Sequence, residues 1–305
     1  MVETCNEVNK ENETADIVSL FTILKELIRI PSPSGQEREL AEHILKEYTH
    51  GIYRYNGVRD NFSNVFLFPD DMKDDEKLPI LNAHLDIFNN DRQLTDTDLE
   101  RLREPDILTL DLKTFTITKK YPQVVSFDDK IGVAIILWLM KYTDLRFKVI
   151  LSSQEEKTNR EDLIIKYNNG NHKRVGGGGI QYALTSSKPL GFIKNSRFGL
   201  VLDRQGRSDI IAKYGGKDLC SDHFLRTLES ISDTVGFHMQ EELGRMGDAY
   251  NIRVLTGLDV VNLSCGIYHE HNSEERLVIK EAFGTLKVVK YCLEHPDLLD
   301  GNPVG

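Results

Sequence analysis

Acidic and histidine side chains recur along this sequence at the ends of short apolar runs or at the start of an apolar helix. In an open α/β sheet, ligands bind beyond the carboxyl ends of the strands, so such side chains are expected to meet there. Imidazole nitrogens and carboxylate oxygens together suit Zn²⁺, Mn²⁺ or Co²⁺. The set therefore indicates a hydrolytic site with two metal ions. Five segments share this placement: His84 with Asp86, Asp128 with Asp129, Glu155 with Glu156, Asp203, and His269 with His271.

Each segment, taken alone, also has an ordinary structural interpretation. Asp128 and Asp129 could serve only as N-terminal capping charge for the helix that follows them. His84 could be a strand-end histidine with a local acidic partner, and Asp203 could pair with Arg204. The metal-site interpretation is favoured because all five segments fall at the same kind of place in the pattern.

Apolar periodicity predicts the elements that position these segments. Strands separated by helices are typical of an α/β protein with a mostly parallel sheet. The sequence therefore predicts an α/β fold with the acidic segments along one edge of the sheet. The predicted helices cover 17–29, 36–49, 131–142, 222–243 and 274–293, and the predicted strands cover 64–68, 79–83, 147–152, 200–202 and 260–263.

The composition narrows the class of protein. The 305-residue chain has 38 Lys and Arg against 48 Asp and Glu, which gives a formal net charge of −10. This acidic balance argues against a nucleic-acid or anionic-membrane partner, and no apolar run approaches the ~20 residues of a membrane span. Residues 1–5 lack the features of a secretory signal. The four cysteines, Cys5, Cys220, Cys265 and Cys292, form no C-x-x-C pair, which argues against a cysteine zinc site. They are too few and too scattered for a disulfide framework, so a cytoplasmic protein is expected.

Both ends and two internal stretches depart from the alternating pattern. Residues 1–16 carry five acids and one lysine and are predicted to be a disordered acidic tail, and residues 296–305 are predicted to be a C-terminal tail. Between them, 17–295 is predicted to be a single domain that carries all five segments. The polar stretches near 89–122 and 157–174 are predicted to be surface insertions.

In chain order the motifs read H-x-D, D-D-K-x-G, E-E, D and H-x-x-x-E. This order resembles the co-catalytic zinc exopeptidases, which include the aminoacylase, carboxypeptidase G and peptidase T group and the glutamyl- and bacterial leucyl-aminopeptidases. The P-S-P-S-G turn at 31–35 resembles the family opening, and Gly247-Asp248-Ala249 resembles the G-T-D-A segment of the glutamyl-aminopeptidases. The resemblance implies a catalytic three-layer αβα sandwich around a central, mostly parallel mixed sheet.

The resemblance also implies a set of metal ligands. His84 and Asp203 would be terminal ligands of one ion, and Glu156 and His271 would be terminal ligands of the other. Asp128 would bridge the two ions. The implied cofactors are two divalent metal ions, with zinc preferred and manganese or cobalt as alternatives.

Two further carboxylates would act on the reaction rather than bind metal. Asp86 would orient the His84 imidazole through the ring nitrogen that does not face the metal. Glu155 would be the general base that takes a proton from the water activated by the two ions, and would return that proton to the leaving amine.

The family pattern also bears on two details of the ligand segments. It implies a strained, cis peptide bond between Asp128 and Asp129. His271 is preferred to His269 as the ligand because Glu275 lies four positions after His271, as in the final family motif.

Two departures from the family pattern concern the architecture. In the family, a glycine-containing segment follows the double Glu at once, but here the 18 residues 157–174 intervene. They are predicted to form a mobile flap beside the site. Only 68 positions separate Asp203 from His271, which is too few for the dimerisation domain that most aminoacylase-like members insert. A lidless, single-domain member is expected.

The sequence thus predicts a metal-dependent hydrolase of peptide or amide bonds, an exopeptidase of the aminopeptidase type. Its substrate would be a small peptide or an N-acyl amino acid, with no nucleic-acid or membrane partner, and a homo-oligomer is compatible with the sequence. Two alternatives stay open. One is an N-acyl amino acid deacylase of the same superfamily, and the other is a catalytically silent relative that binds peptides.

Overall fold

A computed structural model describes residues 2–88, 94–156, 164–166, 172–174, 178–185, 187–244 and 247–300. The helices are α1 (Val2–Ile28), α2 (Arg38–Glu47), α3 (Asp96–Leu102), α4 (Lys130–Tyr142), α5 (Gly179–Thr185), α6 (Ser187–Lys194), α7 (Asp222–Thr234), α8 (Asp248–Thr256) and α9 (Ile279–Glu294). The strands are β1 (Tyr55–Arg59), β2 (Val65–Pro69), β3 (Leu78–His84), β4 (Leu108–Asp111), β5 (Thr116–Lys119), β6 (Lys148–Ser152), β7 (Ile164–Lys166), β8 (His172–Arg174), β9 (Ser196–Arg204), β10 (Asp209–Ile211), β11 (Lys213–Tyr214), β12 (Lys217–Asp218), β13 (Gln240–Glu241), β14 (Val260–Ser264), β15 (Ile267–Tyr268) and β16 (Arg276–Val278). No helix within the described ranges is long and apolar enough to cross a membrane.

The main sheet has eight strands in the order β1-β2-β6-β3-β9-β14-β10-β13. Its centre is parallel, since β6 pairs with β3, β3 with β9, and β9 with β14. The β1–β2, β2–β6 and β10–β14 pairs towards the two sides are antiparallel. The mostly parallel, mixed sheet of the predicted α/β fold is therefore confirmed.

Helices cover both faces of this sheet because its central strands bury side chains on both sides. Successive residues of a strand point to opposite faces, and Ile80 and Leu81 of β3 accordingly belong to two separate apolar clusters. The Leu81 cluster includes side chains of α1, α2, α4 and α9, and the Ile80 cluster includes side chains of α5 and α8. The result is the three-layer αβα arrangement that the sequence predicted.

Helix α4 lies in the middle of one layer, and its residues from Lys130 to Met140 are all buried. The Asp129 carboxylate caps the helix by accepting the Gly132 N–H at 3.0 Å. Gly132 is required by a close approach, because a Cβ atom at this position would lie 2.0 Å from the carbonyl oxygen of Leu202 in β9. The start of α4 is therefore fixed directly against the end of β9.

Helix α1 begins at Val2, so residues 2–16 are helical where the sequence predicted a disordered acidic tail. This prediction is wrong for the described part of the segment. The segment also contacts α9, since the Glu13 carboxylate lies 3.3 Å from Lys287 Nζ.

Two predicted helix boundaries also shift. Helix α7 ends at Thr234 rather than near residue 243, because Gly236 adopts a left-handed backbone with φ of 73° and the chain then enters β13. Helix α9 begins at Ile279 rather than at 274, because the preceding residues form β16. Apolar spacing alone did not reveal either the turn or the short strand.

The predicted C-terminal tail is also partly wrong. Pro296–Leu298 forms a 3₁₀ turn, and Leu299 is buried. Arg197 of β9 forms ion pairs with Asp297 and Asp300, which hold this turn on the body of the protein. Residues 301–305 lie outside the described residues.

The two predicted insertions differ from each other. The described part of 89–122 contains α3, β4 and β5, and its two strands join β15 and β16 in a four-stranded sheet. This stretch is therefore packed beside the loop between β15 and β16. Most of 157–174, where the sequence predicted a flap, lies outside the described residues. The described part of this stretch is the antiparallel pair β7 and β8.

Replacement of Leu24 by Ala tests whether α1 is a core element. Leu24 is fully buried, so its truncation should lower the free energy of unfolding by ~2–5 kcal/mol. The measurement is urea denaturation followed by the fluorescence of Trp138, whose Nε1 donates to Ser19 Oγ of α1 at 2.6 Å. Val18→Ala on the exposed side of the same helix is the control and should change the value by less than ~0.5 kcal/mol. Equal effects of the two variants would contradict the core role of α1.

Candidate metal centre

The predicted ligands meet at the carboxyl ends of the parallel strands. His84 is the last residue of β3 and pairs in register with Ser152, the last residue of β6. Asp203 lies at the end of β9, and His271 lies in the loop between β15 and β16. These segments enclose a cavity of about 100 Å³ whose lining includes Asp128, Glu155, Glu156, Asp203 and His271.

Asp128 lies between the two histidines. Its Oδ1 is 3.2 Å from His84 Nε2, and its Oδ2 is 3.1 Å from His271 Nε2. Each histidine also has a second carboxylate, because His84 Nε2 lies 3.3 Å from Asp203 Oδ1 and His271 Nε2 lies 2.5 Å from Glu156 Oε1. Two imidazoles, two terminal carboxylates and one shared carboxylate therefore form one continuous cluster, which is the arrangement expected of a bridging ligand between two ions.

This donor set fits divalent metal ions. In the group of His84, Asp128 and Asp203, and in the group of Asp128, Glu156 and His271, the candidate ligand atoms lie within 4.8 Å of one another. The ion-pair partners of these carboxylates in the described part of the chain are histidines rather than Lys or Arg. Three carboxylates against two histidines leave excess negative charge, which a divalent metal ion would offset.

The pKa shifts have opposite directions within the cluster. Burial raises the pKa of Asp203 to about 7 and also raises the pKa of Glu156. Burial opposes the charged form of His271, but hydrogen bonds to Asp128 and Glu156 outweigh it and raise the pKa of His271 to about 11. The pKa of Asp128 is lowered, because hydrogen bonds from His271 and His84 outweigh its burial. The cluster as a whole favours bound positive charge.

Asp129 connects the start of α4 to the end of β3. The Asp128–Asp129 peptide bond is cis, as the family resemblance implied. The Asp129 carboxylate accepts the His84 N–H at 3.1 Å and the Gly132 N–H at 3.0 Å. The sequence suggested Asp129 as capping charge for this helix, which the contact with Gly132 confirms, but it did not predict the link to the ligand segment of His84.

Glu275 holds the segment that leads to Asp128. Its carboxylate accepts the Ser126 hydroxyl and the Phe127 N–H, both at 3.0 Å. It also pairs with Lys119 Nζ of β5 at 2.7 Å, and both of these charged side chains are almost fully buried. The Glu of the H-x-x-x-E motif therefore positions the backbone that precedes Asp128. Its basic partner, Lys119, comes from the stretch that was predicted to be a surface insertion.

Asp86 contacts both His84 and the segment that carries the double Glu. His84 Nδ1 lies 2.9 Å from the Asp86 carbonyl oxygen and 3.5 Å from its Oδ1. The two carboxylate oxygens of Asp86 accept the N–H groups of Glu155 and Glu156 at 3.0 and 2.9 Å. Asp86 thus lies where the predicted orienting role requires, but its side chain bonds mainly to the backbone that carries the two glutamates.

Glu155 lines the cavity beside the predicted ligands. One of its candidate ligand atoms lies within 4.8 Å of those of His84 and Glu156, so its carboxylate can reach the same centre. Burial raises the pKa of Glu155 well above its usual value, and the negative charges of neighbouring carboxylates raise it further. A Cβ atom at Gly247 would lie 3.9 Å from Glu155 Oε1 and 3.8 Å from Asp203 Oδ2, so the absent side chain keeps this side of the cavity open.

Sequence reasoning missed two residues that support the ligands. Asn262 Oδ1 accepts the Asp203 N–H at 3.1 Å, and the signal for it is a polar residue inside the apolar run of β14. Asp248 at the start of α8 accepts the Ser152 hydroxyl at the end of β6. Its burial raises the pKa of Asp248 to about 6. The Gly-Asp-Ala resemblance pointed to this place but not to the contact.

Comparison with known proteins supports the fold. No family model and no curated protein matches the sequence. A solved aminopeptidase, PepT from Bacillus cereus ATCC 10987, has 12% identity and a TM-score of 0.65, with 91% of this chain and 98% of that chain covered. A TET aminopeptidase from the marine sediment archaeon Thaumarchaeota archaeon SCGC AB-539-E09 has 12% identity and a TM-score of 0.63, with coverage of 92% and 98%.

The same fold also occurs in a protein with another activity. A glutaminyl cyclase from Bacteroides thetaiotaomicron, bound to N-acetylhistamine, has 15% identity and a TM-score of 0.57, with 94% of this chain and 98% of that chain covered. At these identities the likeness establishes the fold that the chain shares with aminopeptidases. The chemistry has to be argued from the side chains at the site.

Replacement of one histidine tests the assignment of the second metal position. His271→Asn should weaken the binding of one of two Zn²⁺ or Co²⁺ ions at least ~100-fold, measured by titration calorimetry. Loss of a residue that only hydrogen-bonds a metal ligand costs about 10–100-fold in metal affinity, and loss of the ligand itself should cost at least as much. His269→Asn is a matched control, since both histidines have positive φ, of 64° and 57°, which Asn tolerates. The assignment is wrong if the His269 variant loses metal and the His271 variant keeps it.

Proposed function

We propose that this protein is a metal-dependent exopeptidase that hydrolyses peptide bonds with the help of two divalent ions, zinc first. The observation that carries the proposal is the position of Asp128 between His84 and His271, with a separate carboxylate at each imidazole. The aminopeptidase names of two similar structures support a peptide as the substrate.

One ion would be held by His84 and Asp203, the other by Glu156 and His271, and both by Asp128. When bound, two such ions acidify a water and polarise the scissile carbonyl. The chain's own contribution is to hold these five ligands in fixed positions before substrate arrives. Asp129, Asp86 and Glu275 supply that rigidity by accepting hydrogen bonds from backbone N–H groups of the ligand segments.

Glu155 would be the proton carrier of the reaction. Its carboxylate lies in the same cavity as the proposed ligands. It is not one of the five side chains, three carboxylates and two imidazoles, that the two metal positions need. As a general base it would take a proton from the attacking water. As a general acid it would then give that proton to the amine nitrogen that leaves. Burial raises the pKa of Glu155 above its usual value, which favours a carboxyl group that holds the proton between the two halves of the transfer.

The architecture favours an enzyme with one catalytic domain over one with a separate lid. The described residues between Asp203 and His271 form α7, α8 and short strands, and β10, β13 and β14 of this stretch belong to the main sheet. We therefore retain the lidless interpretation of one catalytic domain, predicted over residues 17–295 and extended by the helical residues 2–16 and the turn at 296–298. An N-acyl amino acid deacylase would use the same groups and is distinguished by its substrate.

A substrate panel tests the proposal. Unblocked dipeptides, aminoacyl anilides and N-acetyl amino acids would be assayed with Zn²⁺, Mn²⁺ or Co²⁺, and each assay repeated with a chelator. Chelator-sensitive cleavage of substrates with a free amino terminus supports an aminopeptidase. Cleavage of N-acetyl amino acids alone supports the deacylase. A metal-loaded protein that cleaves none of them would contradict the proposal and favour the silent peptide-binding alternative.

Glu155→Gln tests the proton carrier. The substitution keeps the size of the side chain but removes its basicity, so kcat should fall at least ~10²-fold while the bound metal per chain stays the same. Metal content would be measured by elemental analysis on the same sample. Glu274→Gln, at an exposed acid near the site, is the control and should keep wild-type kcat. Normal turnover by the Glu155 variant would remove this residue from the mechanism.

A further inference from the structure

The loop of residues 153–156 follows β6 and carries both the proposed base and a proposed metal ligand. Its first two backbone N–H groups donate to side chains from distant parts of the chain. Ser153 N–H donates to Asn64 Oδ1, and Gln154 N–H donates to Glu37 Oε1, both at 3.0 Å. Asn64 directly precedes β2, and Glu37 directly precedes α2.

The next two N–H groups continue this pattern. Those of Glu155 and Glu156 donate to the two carboxylate oxygens of Asp86 at 3.0 and 2.9 Å. Four consecutive backbone donors are therefore held by three side chains, Asn64, Glu37 and Asp86, which we name the amide clamp. Backbone N–H groups usually pair with carbonyl oxygens within helices and sheets. In this loop, side chains accept those hydrogen bonds instead and keep the backbone ordered.

The amide clamp is buried. Asn64 and Asp86 are 0% exposed and Glu37 is 1% exposed. Burial of a carboxylate is costly unless hydrogen bonds and opposite charge compensate it. Glu37 and Asp86 both interact electrostatically with the buried Lys130, whose Nζ donates to the Ile30 carbonyl oxygen at 3.2 Å. Two buried carboxyl groups with a shared lysine neighbour thus lie directly behind the loop as acceptors of its N–H groups.

The loop needs such support because its backbone is unusual. Gln154 has a φ of 57°, in the left-handed region that residues with a side chain rarely adopt. Glu37 Oε1 accepts both the Gln154 N–H and the Gly35 N–H, the latter at 2.6 Å, so one oxygen ties this turn to the turn before α2. The dihedral angles of Gln154 decide where the next side chain, that of Glu155, points.

Asn64 connects the loop to the start of α5 on its other side. Its Nδ2 donates to the Gly179 carbonyl oxygen at 3.0 Å, while its Oδ1 holds Ser153. Gly178 leaves no room for a side chain, because a Cβ atom there would lie 1.8 Å from the carbonyl oxygen of Gln154. Two of the four consecutive glycines in the sequence therefore lie directly on this loop, which gives them a packing role.

We propose that Glu37 and Asn64 are positioning residues of this site, which act with Asp86 by fixing the backbone of residues 153–156. They set the directions of the Glu155 and Glu156 side chains without contacting substrate or metal. The inference rests on the proposed function for its kinetic consequence. Its structural part, the order of the loop, can be measured without any turnover.

The first test measures loop order by hydrogen exchange with mass spectrometry on the full chain. Glu37→Met keeps the approximate volume but removes both acceptor oxygens, and exchange of the 153–156 amides should be at least ~10-fold faster. Glu37→Gln keeps Oε1 as an acceptor and should restore protection. Glu26→Met is the control: Glu26 accepts hydrogen bonds from His43 and Tyr48 between α1 and α2, away from the loop.

The second test measures the consequence at the site. Glu37→Met should lower kcat ~10–100-fold with KM changed less than ~3-fold, because a small displacement of a reacting group costs rate rather than binding. The absorption spectrum of bound Co²⁺ should also change, since Glu156 lies in the same loop. Glu37→Gln should retain kcat within ~3-fold, and Glu26→Met should match wild type in both readouts.

The outcomes separate this inference from the proposed function. Faster exchange and an altered Co²⁺ spectrum in Glu37→Met support the amide clamp even if the wild type cleaves no substrate of the panel, which would overturn the function alone. An active wild type with unchanged exchange and kcat in Glu37→Met overturns the clamp alone. If Glu37→Met does not fold, Asn64→Leu carries the same test, because it removes the acceptor of the Ser153 N–H.

Discussion

Concentrated negative charge at one edge of the sheet is the constraint on which the other features of this site depend. Asp128, Glu156 and Asp203 converge on two imidazoles at the carboxyl ends of β3, β6 and β9, and burial raises the cost of their mutual repulsion. Such a group stays together only if cations offset the charge and if the surrounding backbone cannot relax away. The residues around the site meet the second requirement.

The same kind of hydrogen bond, from a backbone N–H group to a buried side chain, recurs around the ligands. Asp129, Asp86, Glu37 and Glu275 are buried carboxylates, and each accepts at least one backbone N–H group of a segment that carries a ligand or the proposed base. A hydrogen bond is stronger where water is excluded, and a buried N–H group that has lost its acceptor is costly. A site held in this way needs little rearrangement when metal or substrate binds, which favours both affinity and rate.

The central elements could be predicted from the sequence because their signals are local. Apolar runs located β3, β6 and β9, and the two acids before α4 marked its start, since burial on both faces makes such segments continuously apolar. The ends of the chain were less predictable. The polar sequence of 2–16 does not show that its helix docks on α9, and the end of α7 depends on a positive φ at Gly236. Both depend on contacts or conformations that periodicity does not record.

The sequence by itself determined the chemical types of the site residues and their order, because each predicted ligand lies at or a few residues beyond the end of a strand, or just before a helix. Only the tertiary structure decided how those residues are held. Glu37 and Gln154 are separated by 117 positions, and Asn64 and Ser153 by 89. A hydrogen bond between such residues leaves no trace in local composition or spacing, since it exists only once the sheet has brought the separate segments together.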